Sequence, residues 1–263
     1  MIFINWKKSI IVLLDVVLAV YLLLAVTSFN VPNEGNKLCD KVTIDISDSN
    51  NVGFLSAGEI KKILSAKGLY PYMKPIDKVS PRDIEETLKV TPFVKSAECY
   101  KTIDGQVCIT ITQRTPIVRI ISNNGADYYI DERGGQLPNS NYSSDLIIAT
   151  GYISRNFARQ SIAPLAKTIM DSPLWSNQIV QINVLPNKSI ELVPRVGNHI
   201  VCLRQLPEES LVSVQQDSIV SFTLRKLERL EKFYRYGLSV AGWDKYKYID
   251  IEFDNQIICK RKE

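Results

Sequence analysis

The chain has 263 residues, with 32 basic and 28 acidic side chains, a formal net charge of +4 at pH 7, five cysteines and a single histidine. So small a charge excess excludes the basic surface typical of nucleic-acid-binding domains, and the sequence contains no glycine-rich phosphate-binding loop. One histidine and five scattered cysteines without a C-x-x-C pair do not make a structural zinc site, so we predict no metal and no cofactor.

An apolar run near the N-terminus, from Ile10 to Phe29, contains one charged residue, Asp15. At 1.5 Å per residue, a helix of this length spans about 30 Å, the thickness of the hydrocarbon core of a bilayer. We therefore predict a transmembrane helix over residues 10–29, after a cytoplasmic tail (residues 1–9) and before a linker (residues 30–40). A cleaved signal peptide is the alternative, although its apolar region is usually only about 7–15 residues long.

The charges around this run bear on its orientation. Lys7 and Lys8 precede it directly, whereas Lys37 and Lys41 follow at a distance, which gives a small preference for a cytoplasmic N-terminus. A carboxylate at the centre of a membrane costs about 2.5–3.5 kcal/mol on insertion scales. Asp15 is therefore a candidate contact with the membrane helix of a partner, or it lies near enough to the inner surface to reach water.

The segment after the linker has the pattern strand, helix, helix, strand, strand. Apolar and polar residues alternate over residues 42–46, as in a strand with one buried face. N-terminal capping signals at Ser56 and Ser80 predict two helices. Two strands follow, near residues 94–102 and 106–113, and together these elements indicate a small α+β domain.

The register of this last strand pair decides how two cysteines are placed. A three-residue loop at residues 104–106 would pair Ile103 with Val107 and bury Ile103 beside Cys99, whereas a two-residue loop is the alternative. Neither register puts Cys99 directly opposite Cys108, so we predict no disulfide.

Short predicted strands dominate the second half of the chain. Their β-branched composition and the turn residues between them indicate a β-rich domain. Asp131 precedes a glycine-containing turn, and we assign it no chemistry. The predicted strands cover residues 117–122, 128–131, 146–150, 179–185, 189–193 and 200–203.

Two helices interrupt these strands. The first is predicted over residues 157–170 and contains Pro164, although a proline inside a helix costs about 3 kcal/mol. The second is predicted over residues 220–236 and ends before Gly237, a natural helix terminator. Its apolar side, which we expect to pack into the core, carries Leu224, Leu227 and Leu230.

The sequence offers no set of catalytic residues. His199, the only histidine, lies in a Gly-Asn-His turn, and we predict a surface or turn position for it rather than a catalytic base. The paired carboxylates Glu85/Glu86 and Glu208/Glu209 are ordinary surface charges. We therefore predict that the protein is not an enzyme.

The C-terminal segment alternates apolar and polar residues over residues 246–253, and then has a turn pair, Asp254-Asn255, and a last strand. No later element can pair with this strand, so its outer side is an open edge unless the sheet closes. An open edge can accept a strand from another protein. The alternative is that the lysines and the arginine at residues 260–262 only protect it.

The segment from Thr91 to Ile120, TPFVKSAECYKTIDGQVCITITQRTPIVRI, resembles the FtsQ/DivIB family of cell-division proteins. The likeness lies in Pro92-Phe93-Val94, the alternating strand and the Gln113-Arg114-Thr115-Pro116 exit. The resemblance implies an α+β chain with one transmembrane helix, a POTRA domain (residues 41–114) and an FtsQ-type β domain (residues 115–263) with an open-edged terminal hairpin. One departure concerns the strand at residues 200–203, which the family often ends in Leu-Gly, whereas Leu203 is followed here by Arg204.

The resemblance also implies a function. It predicts a non-catalytic single-pass scaffold of the inner membrane, with its soluble part in the periplasm and enrichment at the division septum. Its partners would be membrane proteins of the FtsB/DivIC and FtsL type, with no nucleic acid and no small-molecule substrate. A POTRA-bearing component of protein transport or outer-membrane assembly is the alternative. The partner-binding residues implied by the family's docking edge are Tyr248, Phe253, Asn255, Gln256, Ile257, Ile258, Cys259, Lys260 and Arg261.

Overall fold

The computed structural model describes residues 6–28, 37–47, 54–140 and 146–262, without the side chains of residues 7–9 and 26–28. The first element is a 23-residue helix, α1 (Trp6–Ser28), whose described apolar side chains are exposed. Within the described part of the chain, no helix is both long and apolar enough to cross a membrane. The predicted membrane span stays a prediction, and most of the predicted tail and linker lies outside the described residues.

The chain divides into two compact units, and the first contains three stretches: Met1–Ser47, Ala57–Val90 and Ser96–Ile111. The second contains Asp48–Ser56, Thr91–Lys95 and Thr112–Glu263.

The small α+β domain has the predicted order of strand, helix, helix, strand, strand. Its sheet has the order β1-β3-β2, and buried aliphatic residues of both helices, among them Ile60 and Leu88, form its core. Ser80 caps α3 as predicted, because its Oγ accepts a hydrogen bond from the Asp83 N–H at 3.3 Å. The elements are β1 (Val42–Ser47), α2 (Ala57–Ala66), a 3₁₀ turn (Ile76–Lys78), α3 (Pro81–Lys89), β2 (Val94–Lys101) and β3 (Val107–Gln113).

The loop between β2 and β3 differs from both predicted registers. The Thr102 N–H donates to the Gln106 carbonyl at 2.9 Å, so the loop consists of residues 103–105. Thr102 Oγ1 accepts a hydrogen bond from the Gln106 N–H at 3.1 Å and reinforces this pairing. Ile103 is consequently 91% exposed at the loop tip, whereas Cys99 is buried. The prediction that Ile103 is buried was wrong, because the threonine side chain closes the loop one residue earlier than the apolar pattern suggests.

The second unit contains a nine-stranded mixed sheet, counted over the described residues, with the order β12-β11-β10-β9-β8-β7-β4-β5-β6. Three of its neighbouring pairs are parallel: β4 with β7, β7 with β8, and β10 with β11. The strands are β4 (Pro116–Ser122), β5 (Asp127–Asp131), β6 (Gln136–Pro138), β7 (Ile147–Gly151), β8 (Ile179–Val184), β9 (Ser189–Pro194), β10 (Ile200–Gln205), β11 (Tyr246–Asp250) and β12 (Ile258–Arg261).

Helices cover one face of this sheet and form the core with it. The first helical segment consists of α4 (Arg155–Phe157), a π turn (Ala158–Ile162) and α5 (Ala163–Met170). The π turn lies immediately before the first turn of α5, where Pro164 occurs. An interior proline removes a backbone donor and crowds the preceding turn, so the wider π turn accounts for its tolerance here. A short helix, α6 (Trp175–Gln178), then leads into β8.

The long helix α7 (Val212–Phe233) continues through a π turn (Tyr234–Leu238) into α8 (Ser239–Ala241). Leu227 and Leu230 are buried as predicted, but Leu224 is exposed, which corrects its assignment to the core face. Gly237 does not end the helix, since it lies inside the π turn, and a Cβ atom there would lie 2.8 Å from the Phe233 ring. The glycine instead makes room for this ring.

Candidate docking edge

Strand β12 lies at one end of the sheet order and pairs only with β11 among the described strands. The pairing is antiparallel, with Ile258 opposite Asp250 and Lys260 opposite Tyr248. Beyond β12 the Lys262 N–H donates to the Lys245 carbonyl at 3.2 Å, on the β11 side. Because amides alternate in direction along a strand, those of Cys259 and Arg261 point away from β11, to the open side of the sheet.

The loop that joins β11 to β12 is longer than predicted. Strand β11 ends at Asp250 rather than at Phe253, and β12 begins at Ile258. Asp250 Oδ1 accepts a hydrogen bond from the Glu252 N–H at 2.9 Å, a side-chain turn that competes with continued strand pairing. The predicted tight turn at Asp254-Asn255 is therefore only part of a seven-residue connection, residues 251–257.

Two cations of α7 hold this connection. Lys226 Nζ lies 2.9 Å from Asp254 Oδ1 and donates to the Glu252 carbonyl at 2.5 Å. Arg229 donates to the Gln256 carbonyl at 3.1 Å. The Lys226 side chain is 4% exposed, whereas Asp254 is 82% exposed, so the buried lysine draws a surface loop onto the helix. Lys226 also lowers the pKa of the Asp254 carboxyl, chiefly through their hydrogen bond.

Arg204 holds the hairpin from the other side, on β10. It is a non-glycine residue with a positive φ of 66°, at a bulge between β9 and β10. Its guanidinium lies 3.1 Å from Asp250 and 3.0 Å from Glu252. This is the position where the family often has glycine, so arginine occupies a glycine-like conformation here and binds two carboxylates of the hairpin.

The predicted partner-binding residues divide into two groups. Ile257 and Cys259 are half-buried against the helix-covered core, and burial raises the pKa of the Cys259 thiol. Tyr248 is also half-buried: its hydroxyl donates to Glu191, and burial followed by this hydrogen bond raises its pKa. The exposed members are Phe253, Asn255, Gln256, Ile258, Lys260 and Arg261.

The acidic residues of this hairpin region form ion pairs, whereas several of its basic residues do not. Each acidic residue in the range 244–262 has a cationic partner: Asp250 and Glu252 have Arg204, Asp254 has Lys226, and Asp244 has Lys262 at 3.5 Å. In the described part of the chain, by contrast, no carboxylate forms an ion pair with three exposed cations of β11 and β12. These free cations are Lys247, Lys260 and Arg261.

Three other residues singled out in the sequence are not part of the β11–β12 hairpin. Asp15 is an exposed residue of α1, and its role stays a prediction. Asp131 is buried and structural: it accepts hydrogen bonds from the Arg133 and Gly135 N–H groups and pairs with Arg114 at 2.7 Å. His199 is buried, not on the surface, and its Nε2 lies 2.7 Å from the Tyr234 hydroxyl.

Sequence reasoning missed the residues that position the hairpin. Lys226 gives the clearest signal in retrospect, since it shares a helical face with the buried Ile219, Thr223 and Leu230. A lysine within an apolar stripe needs a buried partner, which helical periodicity alone does not identify. No local pattern marks Glu191, which becomes the partner of Tyr248 only through the strand order.

Comparisons with known proteins agree with this architecture. Residues 37–112 match the family model described as "POTRA-like domain", so the chain contains a domain of the POTRA class. Residues 115–260, more than half of the chain, match "FtsQ/DivIB, C-terminal related". The chain belongs to the FtsQ/DivIB family, as the resemblance indicated, and membership in this family of scaffold proteins indicates a role in cell division. The chain has no match among curated proteins.

Proposed function

We propose that the protein is a membrane-anchored division scaffold. In this proposal α1 lies in the inner membrane, and the POTRA domain (residues 41–114) and the β domain (residues 115–263) lie in the periplasm and are enriched at the septum. The exposed apolar side chains of α1 and the run of residues 10–29 support the anchor. Family membership favours this role over protein transport or outer-membrane assembly.

Recruitment would occur by strand addition at β12. The observation that carries this step is the position of β12 at the end of the sheet, with the amides of Cys259 and Arg261 pointing outward. The partners would be small membrane proteins of the FtsB/DivIC and FtsL type. Because Lys247, Lys260 and Arg261 of the hairpin have no carboxylate partner in the described part of the chain, we expect the docking strand to carry acidic side chains that pair with them.

The experiment compares how much of the small membrane partners co-purifies with the full-length parent protein and with its Arg261→Pro variant. Proline removes an outward amide at an exposed position and leaves the inward amides that hold β12 to β11. We expect at least tenfold weaker co-purification of small single-span proteins, because one backbone hydrogen bond is lost and the proline ring obstructs the added strand.

Arg261→Ala is the matched control, since it removes the same charge but keeps the amide. This variant should lose only the electrostatic part of binding. Lowering the salt concentration should therefore increase its partner capture less than it increases capture by the parent protein. Equal capture by the proline variant and the parent would place the docking surface elsewhere. Septal localisation of a fusion with a cytoplasmic fluorescent protein tests the division role independently.

A further inference from the structure

The POTRA domain has an exposed apolar surface close to the point where the chain enters it. Four large apolar side chains stand out from the domain there, and we refer to them together as the apolar rim. They are Leu38 (49% exposed), Tyr72 (53%), Met73 (59%) and Ile103 (91%).

Backbone contacts bring the rim together from three parts of the sequence. The Met73 N–H donates to the Cys39 carbonyl at 2.8 Å, and Leu38 forms a bridge with Pro75. Lys37 Nζ donates to the Ile103 carbonyl at 3.4 Å, which joins the β2–β3 loop to the entering chain. These contacts hold the three chain stretches that carry the rim next to one another, although the stretches are distant in the sequence.

Met73 occupies a position where a side chain is unfavourable. The Lys74 N–H donates to the Pro71 carbonyl at 3.0 Å, which closes a four-residue turn with Met73 in its third place. Met73 has a φ of 60°, as in the turns that favour glycine at this place. The Met73 side chain is more than half exposed, so packing inside the domain does not explain why methionine rather than glycine occupies this strained backbone position.

Lysines surround the rim. The three chain stretches that form it, residues 37–41, 67–78 and 103–105, contain five lysines and three aspartates. Lys74 donates to the Gly68 carbonyl, just after α2, and Lys37 donates to the Ile103 carbonyl, so both contacts are to neutral carbonyl groups rather than to carboxylates. Apolar side chains among lysines are the combination that binds the headgroup region of an anionic bilayer.

The covalent chain keeps this surface near α1. Residues 29–36 separate the end of α1 from Lys37, and eight residues reach at most about 28 Å. We propose that the apolar rim rests on the periplasmic surface of the membrane, with its apolar side chains among the headgroups and its lysines on anionic lipid. This inference rests on the proposed membrane position of α1, and it would fix the POTRA domain against the bilayer.

The test uses the full-length protein in lipid nanodiscs that contain an anionic lipid, with brominated lipids that quench tryptophan fluorescence by contact. Ile103→Trp reports on the rim, and Leu18→Trp reports on the middle of α1. Val90→Trp is the matched control, because Val90 is exposed in the same domain but β2 separates it from Ile103 by about 25 Å. The parent spectrum is subtracted to remove the native tryptophans.

We expect quenching at Ile103→Trp to be at least twice that at Val90→Trp. Adding Met73→Gly should halve the difference without lowering the thermal midpoint, since glycine relieves the turn. Replacing Lys37, Lys67 and Lys74 with glutamine should weaken quenching at the rim only in anionic discs.

Three outcomes would overturn the proposal. Equal, weak quenching at Ile103 and Val90 with strong quenching at Leu18 leaves the membrane helix intact and removes the rim contact. Weak quenching at all three positions removes the membrane helix as well. An Ile103→Trp signal that bromine leaves unchanged, but that membrane extract shields from aqueous iodide, assigns the rim to a protein partner.

Discussion

The two edges of the large sheet differ in how they meet solvent. Strand β6 has three residues and ends in Pro138, which has no amide to offer, and the Asn139 side chain donates to Asp127 of β5 at 2.7 Å. Strand β12 has four residues, no proline and two outward amides, and its loop is held by α7 and β10. Short strands with proline protect an edge from pairing, whereas a regular and supported strand leaves it available.

This comparison predicts that β12 binds a partner strand because α7 and β10 hold its loop in place, and not only because its edge is exposed. Lys226→Met should remove the hydrogen bonds to Glu252 and Asp254 while it keeps the bulk of the side chain inside the core. We expect amide exchange in β12 to become at least tenfold faster and partner capture to fall, while β4 and β5 keep their protection.

Asn139→Ala is the matched control at the opposite edge. It should speed exchange in β6 and leave capture unchanged, because β6 does not dock a partner in this scheme. Unaltered β12 exchange in the lysine variant would show that the loop is held by its own packing rather than by α7.

Much of the fold follows from the sequence, and the departures have local causes. Hydrophobic alternation placed most strands of both domains within a residue or two, because each buries one apolar face. It could not give the strand order, since the parallel pairs bring together segments that are distant in the chain. The loop at Ile103 was misplaced because a Thr102 hydrogen bond, not apolar pairing, sets it.

The candidate site was predictable in part for the same reason. The alternating pattern after residue 245 predicts the terminal hairpin from the sequence, but the residues that stabilise it come from α7 and β10. Arg204 shows the limit clearly: the sequence marks it as a departure from Leu-Gly, but only the backbone shows that it retains the glycine conformation.

A second prediction concerns this arginine and sharpens the contrast with the β6 edge. Arg204→Gly should unfold within about 1 kcal/mol of the parent, since relief of the positive φ offsets the loss of two half-exposed ion pairs. Arg204→Ala loses the same ion pairs but keeps the strained backbone, so it should be about 1 kcal/mol less stable than the glycine variant. Urea unfolding of both variants measures the difference, and equal stabilities would mean that the bulge relaxes. Capture should fall equally in both, because both free Asp250 and Glu252.

The smallest predicted effect is a pH dependence on the β12 side of the sheet. His199 precedes β10, and burial, followed by the charge of Lys262, lowers its pKa in the folded state. The Asp244 carboxylate and a backbone carbonyl of Trp243 act in the opposite sense, and the Tyr234 hydroxyl contacts its other nitrogen. Since the unfolded chain then binds the proton more readily, His199 contributes stability above its unfolded pKa of about 6.5 and loses it as the pH falls through the folded value.

His199→Gln isolates this contribution from the carboxylates, such as Asp127 and Glu85, whose lowered pKa values also reduce stability in acid. Between pH 7.5 and 5.5 the parent should lose more unfolding free energy than the glutamine variant. Amide exchange should show that the additional loss of stability in the parent lies in β10–β12 and not in β5–β6. His199 directly precedes β10, and it interacts with the backbone of Trp243. Parallel pH profiles for the two proteins would mean that the imidazole has the same pKa in the folded and unfolded states. The two edges would then differ in geometry and support but not in their response to acid.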